Sequence, residues 1–366
     1  MSAGSEKVIR EVIREDIRGR TAYHVPQAEG MVKLDAMENP YPLPEALRRE
    51  IAEAVASARI NRYPDPKAPA LVKRLREVMG IGPEYGVLLG NGSDEIIHMI
   101  MQSVARPGAV ALWPQPNFFM FGLYAQLAGL RDVGVPLRAD FTLDTGPFLR
   151  AMREHRPPVV FIAYPNNPTG NLFSEDAIAE IITAAPGLVV VDEAYHAFAR
   201  KTFMTRIAEF PNLVVMRTLS KLGLAGIRLG YAVAHPEWIG EFDKVRSPYN
   251  VNVLTQIVAE LALAHYDAFD ARAREIIAER ERLTGELGKV RGVTVFPSEA
   301  NFVLARVPEA TRVFEGMKRR DVLIRNLHGS FPLLDQCLRF TVGTPEENRR
   351  SFAAFAEALA EALPGR

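Results

Sequence analysis

The chain predicts an α/β protein in which a mostly parallel sheet, covered by helices, is joined to a smaller α+β lobe. Between about residues 68 and 245, short apolar runs alternate with segments of helical spacing, the pattern of successive βαβ units. A long helical stretch and a second group of short strands and helices follow. In the first region, residues 86–89, 109–112, 159–163, 188–191 and 213–217 read as strands, with 95–104 and 175–183 among the intervening helices. Residues 255–289 read as a helix-rich bridge, because Ile257, Leu261, Ile276, Ile277, Leu283 and Leu287 are separated by charged positions. Residues 293–296 and 301–307 then read as strands, 312–320 as a helix and 338–342 as a strand. Phe352, Phe355, Leu359 and Leu363 recur at intervals of 3, 4 and 4 residues, an amphipathic stripe that makes a closing helix. The absence of a repeat or low-complexity linker predicts lobes that pack together. The expected division is an arm and part of the small domain at 1–40, a large domain at 41–250, an interdomain helix at 251–290 and a small C-terminal domain at 291–366.

The 366 residues suffice for two domains, and 48% hydrophobic with 24% charged residues excludes collagen-like, disordered and disulfide-scaffold classes. Lys plus Arg equals Asp plus Glu at 44 each, so no global positive field attracts nucleic acid or an anionic membrane. An anionic partner must therefore be recognised at a site. The single cysteine, Cys337, suits a reducing compartment. The apolar runs are far shorter than the ~20 residues that span a bilayer. The first twenty residues mix acids and bases, unlike a signal or transit peptide, so a cytoplasmic protein is expected.

Ligands of open parallel sheets bind where loops leave the carboxyl ends of the strands, and four motifs fall there. The run 217–228 places Lys221 between a strand and a Gly/Ala-rich segment, with hydroxyls beside it and Arg228 after it; a Schiff-base cofactor carrying a phosphate needs this set. The apolar strand 189–191 ends in Asp192, with Tyr195 three residues on. An ionised carboxylate can keep a pyridine nitrogen protonated, by about 4 kcal/mol at ~4 Å in an effective dielectric of ~20. In the run 163–170, Asn167 precedes a proline that restricts it to extended or turn geometry, from which its amide could donate to a phenolic oxygen. The run 87–95 is a strand, a Gly-rich turn and a helix start, where the backbone N–H groups of Ser93 and Asp94 favour a phosphate. Taken singly, each admits a plainer reading: a surface lysine, a strand-ending acid, a turn and an ordinary helix cap.

Taken together, Asn-Asn-Pro-Thr-Gly at 166–170, Asp-Glu-Ala-Tyr at 192–195 and Ser220-Lys221 followed by Gly-x-Arg-x-Gly resemble the fold-type I pyridoxal-phosphate aminotransferases over nearly the whole chain. Within them, Asp16-Ile17-Arg18 leading to Tyr23, the run 34–41, Arg62-Tyr63-Pro64-Asp65, the run 322–326 and the run 337–343 resemble the histidinol-phosphate aminotransferase family. The resemblance implies a seven-stranded large-domain sheet and pyridoxal 5'-phosphate as cofactor, with no metal. It implies that Lys221 binds the cofactor and moves a proton, that Asp192 meets the ring nitrogen, and that Asn167 and Tyr195 contact the ring hydroxyl. Ser93, Asp94, Thr218, Ser220 and Arg228 would hold the phosphate, and Phe118 would stack on the ring. Tyr63 would reach the site of a neighbouring subunit, implying a homodimer. Arg325 and Arg339 would bind the anionic end of the substrate, with Tyr23 and Asn39 closing over it.

The implied reaction converts L-histidinol phosphate and 2-oxoglutarate to imidazole acetol phosphate and L-glutamate. Rival readings are an aromatic or broad-specificity amino-acid aminotransferase and a phosphothreonine decarboxylase. A ligand-sensing transcription regulator is disfavoured, because about 33 residues before Leu34 and zero net charge leave no DNA-binding module. Three positions depart from the common pattern: Met37 where Asn is frequent, Phe118 where Tyr is frequent, and Arg228 seven residues after Lys221 rather than eight.

Overall fold

Seven strands form the principal sheet: β1 (Gly86–Asn91), β2 (Val110–Gln115), β3 (Arg131–Pro136), β4 (Val159–Ala163), β5 (Leu188–Asp192), β6 (Leu213–Thr218) and β7 (Leu229–Ala234). Their spatial order is β1-β7-β6-β5-β4-β2-β3, and only β7 runs against its neighbours. The α/β class with a mostly parallel sheet is as the sequence predicts. This computed structural model describes residues 3–22 and 25–363. It comprises two compact units, Met1–Met31 and Val32–Arg366. The first contains helices Ala3–Val12 and Glu15–Arg18; the second contains the sheet.

Strands β4 to β7 are buried along their whole length, which explains their uninterrupted apolar sequences. Side chains alternate between two cores. Leu188 and Val190 of β5 face helices that supply Ile96, Phe121 and Phe242, whereas Val189 and Val191 face helices that supply Leu71, Phe148 and Ile178. The sheet is thus the middle of three layers, and only its strand ends are open to ligands.

A four-stranded antiparallel sheet orders Arg325–Asn326, Cys337–Thr341, Phe302–Arg306 and Thr294–Val295. The closing helix, Pro345–Ala362, starts with a capping box between Thr344 and Glu347 and buries Phe355 and Leu359. The segment Val32–Lys33 pairs parallel with Val322–Leu323, which ties the chain before the large sheet to the C-terminal lobe.

Two strands of the principal sheet exceed the sequence reading. Strand β3 is an edge strand with Arg131 and Asp132 exposed, so it lacks the apolar run expected of a buried strand. Strand β7 is wholly buried but carries Gly230, Ala232 and Ala234, small residues with weak strand preference. The bridge at 255–289 is two helices, Val253–Ala264 and Tyr266–Gly288. His265 leaves helical geometry at φ −106° and ψ 29°, and Asp267 in the next first turn suits a new helix N-terminus. Among the described residues, no helix is long and apolar enough to cross a membrane.

Candidate active site

The strand order brings the carboxyl ends of β1, β6, β5 and β4 to one edge of the sheet, with the reversed β7 between β1 and β6. One cavity there is lined by Ser93, Asp94, Phe118, Asn167, Asp192, Tyr195, Thr218, Ser220, Lys221 and Arg228. Nine residues expected from four separate motifs, together with Phe118, therefore share one cavity. Gly92 makes the tight entry to the Ser93–Val104 helix: its φ is +80°, and a Cβ there would lie 2.5 Å from Arg228 Nη2.

The phosphate-suited side is a hydroxyl and guanidinium cluster. Thr218 Oγ1 donates to Ser220 Oγ at 2.9 Å, and Arg228 Nη1 donates to Ser220 Oγ at 3.2 Å. Arg228 also reaches Asp94 Oδ2 at 3.3 Å, so its seven-residue spacing from Lys221 still delivers it to the cavity. Burial raises the Asp94 carboxyl, opposed by Arg228.

Lys221 is half-buried, and its Nζ donates to the Ala36 carbonyl at 3.1 Å. Burial pushes its ammonium down to about 8, with the charge of Arg339 acting in the same direction. Of the two, desolvation is the larger cause. Asp192 is 4% exposed and accepts from the Ala194 N–H at 3.1 Å. Burial pushes its carboxyl up to about 7, because only that N–H and the charge of Lys221 oppose the desolvation. Tyr195 is also buried, its phenol raised by desolvation, with its ring 5.9 Å from Lys221 Nζ.

Asn167 and Arg339 form a polar bridge between the two sheets. Arg339 Nη1 donates to Asn167 Oδ1 at 2.6 Å and Nη2 to the Asp35 carbonyl at 3.0 Å. With its oxygen taken by the guanidinium, Asn167 presents its Nδ2 as a donor. Arg325 stands directly opposite Arg339 in the antiparallel pair, which puts two cationic side chains on one face. Such a pair is unfavourable unless an anion sits between them. Phe118 meets Phe119 and Phe121 edge-on, and this fixes its ring at the cavity wall.

Other expected residues lie elsewhere. Asn39 is outside the cavity lining and donates to the Leu222 carbonyl at 3.0 Å, so it holds the loop that carries Lys221. Tyr63 is 80% exposed and stacks on Tyr249 with ring centroids 4.4 Å apart. Arg325 is half-buried and outside the cavity lining. Tyr23 lies outside the described residues.

A family model described as aminotransferase class I and II matches residues 29–355. The chain belongs to this aminotransferase family. As a class I and II aminotransferase it is 54% identical over 364 residues to histidinol-phosphate aminotransferase 2 of Cupriavidus pinatubonensis, covering 98% of this chain and 100% of the relative. It is 54% identical over 359 residues to histidinol-phosphate aminotransferase 1 of Ralstonia nicotianae, covering 97% of this chain and 96% of the relative. Its structure resembles that of histidinol-phosphate aminotransferase from Sinorhizobium meliloti in complex with pyridoxal-5'-phosphate, with a TM-score of 0.86 at 24% identity, covering 96% of this chain and 98% of that one.

The sequence reading misses the backbone acceptors of this aminotransferase. Asp35 and Ala36 act through carbonyl groups, which any residue supplies, so no side-chain signal marks them. Met37 lines the same cavity in left-handed geometry, φ 53°, held by its N–H to Thr341 Oγ1 and by its carbonyl from Asn301 Nδ2. A bulky residue at positive φ was visible only as an unusual choice where Asn, which tolerates that geometry, is frequent.

Proposed function

We propose that the chain is a pyridoxal-phosphate-dependent transaminase that converts L-histidinol phosphate and 2-oxoglutarate to imidazole acetol phosphate and L-glutamate. The observation that carries the reading is the meeting of Lys221, Asp192 and the Ser220–Arg228 anion donors in one cavity. The donor set fits the cofactor. A buried acid pushed up to about 7 calls for a cationic N–H opposite it, and a protonated ring nitrogen is such a group. The helix start at Ser93 and Asp94, with Thr218, Ser220 and Arg228, suits a phosphate dianion.

When bound, pyridoxal phosphate supplies an electron sink for breaking the Cα–H bond of the substrate. Lys221, titrating at about 8, exchanges its proton near neutral pH, so its Nζ serves as the base that takes the Cα proton and returns it as an acid. Asp192 would hold the proton on the ring nitrogen. The Asn167 Nδ2, oriented by Arg339, and the Tyr195 hydroxyl would donate to the ring oxygen. Phe118, at the cavity wall, would cover one face of the ring. Arg339 and Arg325 bind the phosphate of histidinol phosphate in one half-reaction and a carboxylate of the dicarboxylate partner in the other. Asn39 keeps the Lys221 loop in register.

The homodimer and the cytoplasmic setting belong to the same proposal. Exposed Ile60, Tyr63, Tyr249 and Leu254 on unit 2 support a second subunit, and the one cysteine, Cys337, supports a reducing compartment. The division at 1–40, 41–250, 251–290 and 291–366 is kept as well, supported by the separate seven-stranded and four-stranded sheets.

The test is a visible absorbance titration of the cofactor-loaded protein with L-histidinol phosphate, L-tyrosine and phosphothreonine in parallel. Conversion of the cofactor to its amine form by histidinol phosphate, at the lowest concentration of the three, is expected. Preference for tyrosine keeps the mechanism and moves the substrate class; carbon dioxide release from phosphothreonine overturns the reading. Lys221→Ala should lose both the chromophore and turnover.

A further inference from the structure

Directly behind the cavity lies a fully buried ion pair that the chemistry above does not use. Glu193 is 0% exposed and Arg217 5%. Arg217 Nε and Nη2 both approach Glu193 Oε2, at 2.9 and 2.8 Å. Glu193 also accepts from Thr202 Oγ1 at 2.8 Å and from the Phe203 N–H at 2.5 Å, and Arg217 Nη2 donates to Thr202 Oγ1 at 2.8 Å.

The register explains why this place matters. Asp192 is paired with Met216, and the Glu193 N–H continues the ladder to the Met216 carbonyl at 2.8 Å, so Glu193 stands opposite Arg217. Alternation then separates two functions. Asp192 and Thr218 continue the face of Val190 and Met216 and turn to the cavity, while Glu193 and Arg217, one residue away from each, turn to the opposite side and meet there. The third partner, Thr202, lies just beyond the short helix His196–Ala199 that follows Tyr195. The cluster therefore joins the three segments that deliver Asp192, Tyr195, and Thr218 with Lys221.

A buried ion pair is a poor device for stability alone, because two well-packed apolar residues of similar volume usually serve as well or better. A directed network is a good device for holding register, since a one-residue slip turns every side chain to the other face. We propose that Glu193, Arg217 and Thr202 form a positioning cluster that sets the relative placement of Asp192, Tyr195 and the Thr218–Lys221 loop, and so tunes cofactor binding and the proton on its ring. This rests on the cofactor reading given above.

The experiment compares wild type, Arg217→Lys and the double variant Glu193→Gln/Arg217→Met. For each, the apoprotein melting temperature, the pyridoxal phosphate dissociation constant and the pH midpoint of the visible band of the loaded protein are measured. The double variant removes both charges, so its melting temperature should stay near that of wild type, while cofactor affinity falls by about ten-fold or more and the pH midpoint moves. Arg217→Lys keeps the charge but loses the fork. It should stay folded, with kcat reduced about ten-fold at unchanged KM. A double variant that keeps wild-type affinity and pH midpoint overturns the proposal, because the cluster then serves only as core packing. If the double variant does not fold, an Arg217→Lys protein indistinguishable from wild type in kcat and pH midpoint overturns it equally. Failure of wild type to bind pyridoxal phosphate is a separate result that refutes the cofactor reading, and the proposal with it.

Discussion

The Asp192 carboxyl and the Lys221 amine are costly groups to desolvate, and the cost is measurable. The Asp192 carboxyl rises from 3.8 to about 7, so the folded protein binds this proton more tightly than the unfolded chain does. Its favourable contribution is fully present below about pH 4 and is lost as the pH rises through 7. In the apoprotein, Asp192→Asn should therefore be more stable than wild type by an amount that grows between pH 4 and 7, on the order of a few kcal/mol at ~1.4 kcal/mol per unit. Denaturant melts at both pH values check this. The same variant should lose at least about two orders of magnitude in turnover, since Asn carries no charge to hold the ring proton. Lys221 titrates at about 8, so cofactor capture by the apoprotein should accelerate with pH and level off above a midpoint near 8. A midpoint near the usual 10.5 of lysine would mean that the amine is not desolvated as described.

At the scale of elements, the pairing of Arg325 with Arg339 on adjacent strands predicts an anion-dependent stability. Arg325→Gln should raise KM for histidinol phosphate about ten-fold or more while leaving the melting temperature unchanged or slightly higher, because it removes a like-charge contact. Thr344→Ala at the capping box of the closing helix should cost about 1 kcal/mol without altering KM. What the sequence reveals of these elements follows burial and contiguity. Lys221, Asp192 and Asn167 sit in contiguous motifs at the ends of apolar strands, so both the strands and the site could be read. Strand β3 escapes because its first residues are polar on an open edge, and β7 because glycine and alanine dilute its pattern. The Arg339–Asn167 bridge joins positions 172 residues apart, and nothing local in either segment encodes it.

For the whole molecule, the exposed Tyr63 beside Tyr249 bears on the proposed homodimer. If Tyr63 completes the site of a second subunit, Tyr63→Ala and Lys221→Ala chains, each inactive alone, should complement when mixed and refolded. A 1:1 mixture should recover about a quarter of the wild-type activity, because half of the dimers are mixed and each mixed dimer contains one intact site. No recovery, with both variants confirmed dimeric, would place Tyr63 outside the neighbouring site. The reversed strand β7 carries a further consequence. Parallel neighbours must wait for a crossover before they can pair, but β6 and β7 meet through residues 219–229 alone, with Thr218 paired to Gly230. The lysine loop is thus closed by local pairing, so it can form early in folding, before the long-range bridge from Arg339 is made.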